Sequence, residues 1–232
     1  MPGILKLKHW QLFAIIYGGP FIVSTGVTVY MVFRMLSATQ SIGAGTSEKE
    51  EFQIVFGVFA DVIPYFIIPI IFSAFLIYWR QKVVDYASKT LKEAYTYPKA
   101  LFRAALWAPL LLGIFTLWWL PNMFLELGDF VTEVDSNSIQ GEEIPVNVFF
   151  PFMGTWVLLT PISIVLSIGQ LWTYLETARA IRSVEVGRRV SAGEVVGEFF
   201  LNWFFFIGVW ILQPKINKFE STEKDPYLKE MI

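Results

Sequence analysis

Cysteine is missing from this 232-residue chain, and histidine occurs once, at His9. Without thiols there is no disulfide framework, no thiolate nucleophile and no thiolate metal site, and a single histidine excludes paired-histidine haem or zinc ligation within one chain. Most redox and metal chemistry goes with those two residue types, and no cofactor is expected. Charge is sparse as well. Only 16% of residues are charged, against 55% hydrophobic and 17% aromatic, a balance too apolar for a water-soluble domain of this length. No Gly-x-Ser-x-Gly turn, phosphate-cradling loop, paired-histidine helix or Ser/Lys pair occurs, so the sequence carries no enzyme signature.

What the chain does have is four long apolar stretches, at about 10–33, 52–79, 100–125 and 146–175. Each exceeds the roughly 20 residues a helix needs to cross about 30 Å of hydrocarbon. Lys6 and Lys8 precede the first, as in a signal peptide. Its apolar region is nevertheless longer than the usual 7 to 15 residues or so of a cleaved signal, so it reads as an uncleaved span. The expected fold is all-α: a polytopic transmembrane helical bundle of four long spans plus a short C-terminal membrane or re-entrant helix, with amphipathic cytoplasmic helices. One transmembrane domain over 1–214 and a polar tail over 215–232 follow.

Basic residues fall on alternate sides of the spans. Lys6 and Lys8 precede the first; Arg80, Lys82, Lys89, Lys92, Lys99 and Arg103 lie between or just inside the second and third; Arg179, Arg182, Arg188 and Arg189 follow the fourth. These regions are expected in the cytoplasm of a bacterial inner membrane, N-terminus included. The segment Glu126–Pro145 holds six acidic residues and no basic ones. It is expected outside, as a solvated loop. Trp10, Trp79 and Trp172 fall near the inner boundary and Trp118 and Trp119 near the outer one, as interfacial anchors do.

Two cytoplasmic stretches have helical patterns. Val84, Ala87, Leu91 and Ala94 recur at helical spacing, with Asp85, Lys89 and Glu93 four apart, which predicts an amphipathic helix lying on the membrane surface. Glu176 to Arg189 follows the fourth span with no turn signal and is expected to prolong it, with Glu185 reaching Arg182, Arg188 or Arg189.

Near the end, Ser191 and Glu194 form a capping box that predicts a helix start, and Pro214 marks its expected stop, giving a short helix at 192–213. Its apolar part, Phe199 to Leu212, is about 14 residues, or roughly 21 Å. A fifth crossing and a shallow or re-entrant helix both remain open, and with them the side of the C-terminus.

The candidate polar sites lie in the membrane. Asp61 sits among Val58, Phe59, Ala60, Val62 and Ile63, where a lone charged carboxylate costs several kcal/mol, so a partner such as Ser24, Thr25, Thr28 or Arg34 is expected. Such a group acts as a proton or cation site or as an interhelical packing bond. Glu194, Glu198 and Asn202 recur every four residues and share a face that should turn inward, toward Arg103 or Arg179. Prolines enter every span, which membrane helices accommodate. The order of span, outer loop, span and basic helix occurs twice, which allows an internal duplication of parallel type.

At Ile207-Gly-Val-Trp210-Ile-Leu-Gln213-Pro214-Lys-Ile-Asn217 the chain resembles the C-terminal ends of small, functionally uncharacterised bacterial inner-membrane proteins, and Leu7-Lys8-His9-Trp10 is similar to their starts. The resemblance covers the two ends only and implies no activity. The expected function is a non-catalytic membrane subunit or scaffold. The alternative is a transporter or channel component acting through Asp61 and the Glu198 stripe, and a membrane-embedded enzyme comes third. The expected surroundings are the lipid bilayer and other membrane subunits or further copies of the chain, not nucleic acid.

Overall fold

The computed structural model describes residues 3–42, 54, 57–58, 65, 67–140 and 149–224. Among them every regular element is helical. Four helices are long and apolar enough to cross a membrane, over His9–Ser41, Ile67–Ala94, Lys99–Trp119 and Val157–Val186. We label the helices α1 (His9–Ser41), α2 (Ile67–Leu91), α3 (Lys99–Gln140), α4 (Phe149–Val186), α5 (Val196–Trp203) and α6 (Phe205–Lys224).

The long helices form because few residues interrupt them, and where one does the backbone adapts. A π-helical turn over Ala14–Gly18 in α1 precedes Pro20, whose missing N–H cannot bond the turn below. Pro161 lies inside α4 without ending it. Gly187 does end it: its φ of 75° suits glycine, and its N–H donates to the Ser183 carbonyl at 2.8 Å.

Three expectations about element limits are corrected. The stretch from Lys82 to Leu91 is no separate surface helix. It continues α2, because nothing after Trp79 breaks the helix until Lys92, where φ turns to 49°. The acidic segment after Leu125 is helical through Gln140, as part of α3, where a solvated loop was expected. Helix α6 runs past Pro214 to Lys224, so the polar tail begins as helix, and the real interruption falls ten residues earlier, at Phe204. Helix α4 prolongs the fourth span to Val186 as expected.

The contacts divide the chain into two compact units, Met1–Pro20 with Ile71–Pro109 and Leu166–Ile232, and Phe21–Ile70 with Leu110–Val165. The second unit holds the C-terminal parts of α1 and α3 and the N-terminal parts of α2 and α4. In it the hydroxyls of Thr25 and Thr28 donate to the carbonyls of Phe21 and Ser24, each at 2.8 Å, satisfying themselves on their own helix. The first unit holds most of the fully buried side chains, among them Trp79, Tyr95, Phe102, Phe205, Leu212 and Gln213. It is the unit that contains α5 and α6.

Helices α5 and α6 form a hairpin. Their axes are bent by 120° at Phe204. Gly208 makes this possible, since a Cβ there would fall on the carbonyl of Leu201 in the facing arm. With eight residues α5 is about 12 Å long, well short of the bilayer's hydrocarbon core. The bent pair is thus a broken span or a re-entrant loop, the two forms expected for the end of the chain.

Candidate functional site

Three polar groups gather in the first unit around the hairpin. The first joins the two ends of the chain. Gln213 is fully buried on α6, and its amide nitrogen donates to the carbonyls of Leu5 and Leu7, each at 2.8 Å. Its oxygen accepts from the Trp79 indole N–H at 2.9 Å. Asn217, one turn on, donates to Leu7 at 3.3 Å, and its own oxygen lies 3.1 Å from the Gln213 nitrogen. The Trp210 ring packs against His9 and Phe13, with centroids 4.7 and 5.5 Å apart. The residues that carried the resemblance at the two ends thus touch one another. Trp79, expected at the interface, is instead fully buried against Phe205 because its indole N–H finds Gln213.

The second group is a chain of charges. Lys215 of α6 lies 3.1 Å from Glu198 of α5 and 3.3 Å from Glu185 at the end of α4. Arg182 also holds Glu185, at 2.8 Å. All four side chains are partly shielded, with Glu198 only 13% exposed. Two cations and two carboxylates alternate here, so each charge removed from water has a partner of opposite sign.

The third group centres on Tyr174. Asn202, fully buried on α5 one turn beyond Glu198, donates to the Tyr174 carbonyl at 3.0 Å. The Arg80 guanidinium lies 4.2 Å from the centroid of the Tyr174 ring and is almost fully buried. Two atoms here have no hydrogen-bond partner, the Asn202 side-chain oxygen and Arg80 Nε. One is an acceptor and the other a donor.

The sequence-expected sites divide as follows. Asp61 lies outside the described residues. Glu198 and Asn202 do share a face of α5 and turn inward, but their partners are Lys215 and Tyr174. Arg103 and Arg179 are bound elsewhere. Arg103, half exposed, pairs with Asp85 at 3.5 Å across the short connection from α2 to α3, and Asp85 also accepts from the Tyr97 hydroxyl at 2.9 Å, in place of a pairing with Lys89. Arg179 pairs with Glu176 on its own helix. Glu194 accepts from the Ser191 N–H at 2.9 Å, as a capping box requires, and holds Arg188 at 2.7 Å. Lys215 and Arg80 were missed as site residues. Lys215 lies beyond Pro214, taken as the helix stop, and Arg80 reads as one more basic residue of an inner loop.

Near this group, Tyr95 donates to the Glu176 carbonyl at 3.1 Å. Burial and then the adjacent Glu176 carboxylate push its hydroxyl well above the ordinary tyrosine range. Burial and the bond to Asp85 raise Tyr97 in the same sense.

No family model, curated protein or solved structure matches this chain.

Proposed function

We propose that this chain is a transporter or channel component of a bacterial inner membrane, with its N-terminus in the cytoplasm. The observation that carries this reading is Lys215 held between Glu198 and Glu185 where the bent apolar hairpin meets the end of α4. Re-entrant backbone at membrane depth is tolerated where it is buried in protein or lines a water-filled cavity, and intramembrane charge pairs commonly mark ion or solute pathways. A tethered ammonium between two carboxylates occupies the position that a translocated cation would take. The clasp of Gln213 on the Leu5 and Leu7 carbonyls brings the polar end of α6 to the N-terminal segment, which supports reading both ends of the chain on one side of the membrane.

A second reading, the non-catalytic subunit or scaffold, draws on a different observation. The spans leave wide apolar faces uncovered, Phe21, Ile22, Val157, Leu158 and Val165 among them. Partner subunits or further copies of the chain would cover such faces as well as lipid does. The likeness of both chain ends to small bacterial inner-membrane proteins fits either role, since those ends build one clasp.

Reconstitution into vesicles separates the two. The transport reading expects a cation or proton flux that Glu198→Gln lowers at least about tenfold while the protein stays folded. Absence of flux in the wild type, together with a stoichiometric partner recovered by mild-detergent purification, would sink it in favour of the subunit reading.

A further inference from the structure

An open groove of about 530 Å³ lies between α4 and α5. Ile168, Trp172 and Leu175 line it from α4, and Val196, Phe199 and Phe200 from α5. Its wall is almost wholly apolar. Next to Leu175 and Phe199 is the small core of Ala178, Val190 and Val195, which fixes the root of α5 against α4.

The α4 residues that line the groove follow helical spacing, so they share one face. Prolonging that face by one and two turns brings Arg179 and Arg182. Arg179 spends part of its guanidinium on Glu176, while its Nε is buried with no acceptor. Arg189, in the connection leading from α4 to α5, is exposed, lies over the Tyr95 ring at 5.8 Å, and has no carboxylate partner among the described residues. The groove is thus an apolar trough whose α4 side continues into guanidinium groups. A guanidinium offers five N–H donors in a planar fork, and a single carboxylate leaves some of them free for phosphate oxygens.

We infer that the groove seats one acyl chain of an anionic phospholipid, whose phosphate meets the arginines of the α4 end. Charge complementarity selects the headgroup. Basic pockets between membrane helices favour lipids of net negative charge, and the five cations at this end, Arg179, Arg182, Arg188, Arg189 and Lys215, exceed by one the four carboxylates Glu176, Glu185, Glu194 and Glu198. An acyl chain suits the groove because its wall makes no polar demand and it is open along one side. The inference does not depend on transport activity and holds equally for a scaffold.

The experiment is lipid titration of the purified full chain in detergent, read by native mass spectrometry with phosphatidylglycerol, phosphatidylcholine of the same chains, or inorganic phosphate. One phosphatidylglycerol per chain should be retained about tenfold more tightly than phosphatidylcholine. Val196→Trp, which fills the groove from an exposed position, should abolish that adduct, and Arg182→Gln with Arg189→Gln should erase the preference while leaving weak lipid binding. The thermal midpoint of each variant in the same detergent confirms folding. Equal retention of the two lipids by the wild type, or phosphatidylglycerol retention that survives Val196→Trp, overturns the proposal. Displacement by millimolar inorganic phosphate overturns it too, since the arginines would then hold free phosphate without need of a chain in the groove.

Discussion

A glutamine amide has one acceptor and two donors, and Gln213 uses all of them in a fully buried position. Truncation to alanine leaves the Trp79 indole N–H and the Leu5 carbonyl unanswered and opens a small void. Gln213→Ala should lower stability by about 2–4 kcal/mol, measured by thermal unfolding in detergent; a change under about 0.5 kcal/mol would mean that water replaces the clasp. Tyr95 gives a pH-dependent counterpart. An unfolded chain releases a tyrosine proton near pH 10, whereas the folded chain, with its raised value, keeps it. The contribution is therefore complete below about pH 10 and is lost as pH climbs from there through the folded value. Tyr95→Phe should cost about 1 kcal/mol at neutral pH through loss of the bond to Glu176, and should flatten the alkaline decline. An unchanged slope between about pH 9 and 11 would assign that decline to other groups. Of these residues, Gln213 and Asn217 stood out in the sequence only within the C-terminal run that carries the resemblance. Their role needs Leu5 and Leu7, and no local pattern connects residues 208 positions apart.

At the scale of elements, long apolar runs were legible because lipid demands them, but their ends were not, since α2 and α3 run on as helix through the charged stretches that follow. The hairpin was harder to read. Phe204, where the axis turns, sits in a run of phenylalanines with neither glycine nor proline at the break, while Pro214, the obvious breaker, lies inside α6. The usable signal was Gly208, four residues later, which lets the two arms approach. Entering and returning, the hairpin would leave both ends of the chain facing one compartment. Because native cysteine is missing, Lys8→Cys and Lys218→Cys each give a single thiol. Both should react with a membrane-impermeant maleimide from the same side of the membrane. Labelling of the two from opposite sides would convert the hairpin into a broken fifth span and reverse the orientation of the tail.

For the whole molecule, composition announced an all-α membrane protein correctly, since thermodynamics leaves a chain this apolar few alternatives. The site was legible only in part. Glu198 and Asn202 followed from their spacing on a helix that should not show carboxylates to lipid, but spacing along one helix does not say what faces it, and the partners came from α6 and α4, not from Arg103 or from Arg179. The clasp has a further consequence, in time. Chains grow at roughly 5–20 residues per second, so Leu5 is made on the order of 10–40 s before Gln213 emerges to meet it. Through that interval two backbone carbonyls, joined after Trp79 is made by its indole N–H, wait without their native partner. Closure of the first unit is thus a late event in biogenesis, and a chain stalled before its last helix would display an unsealed polar seam that membrane proteases could recognise.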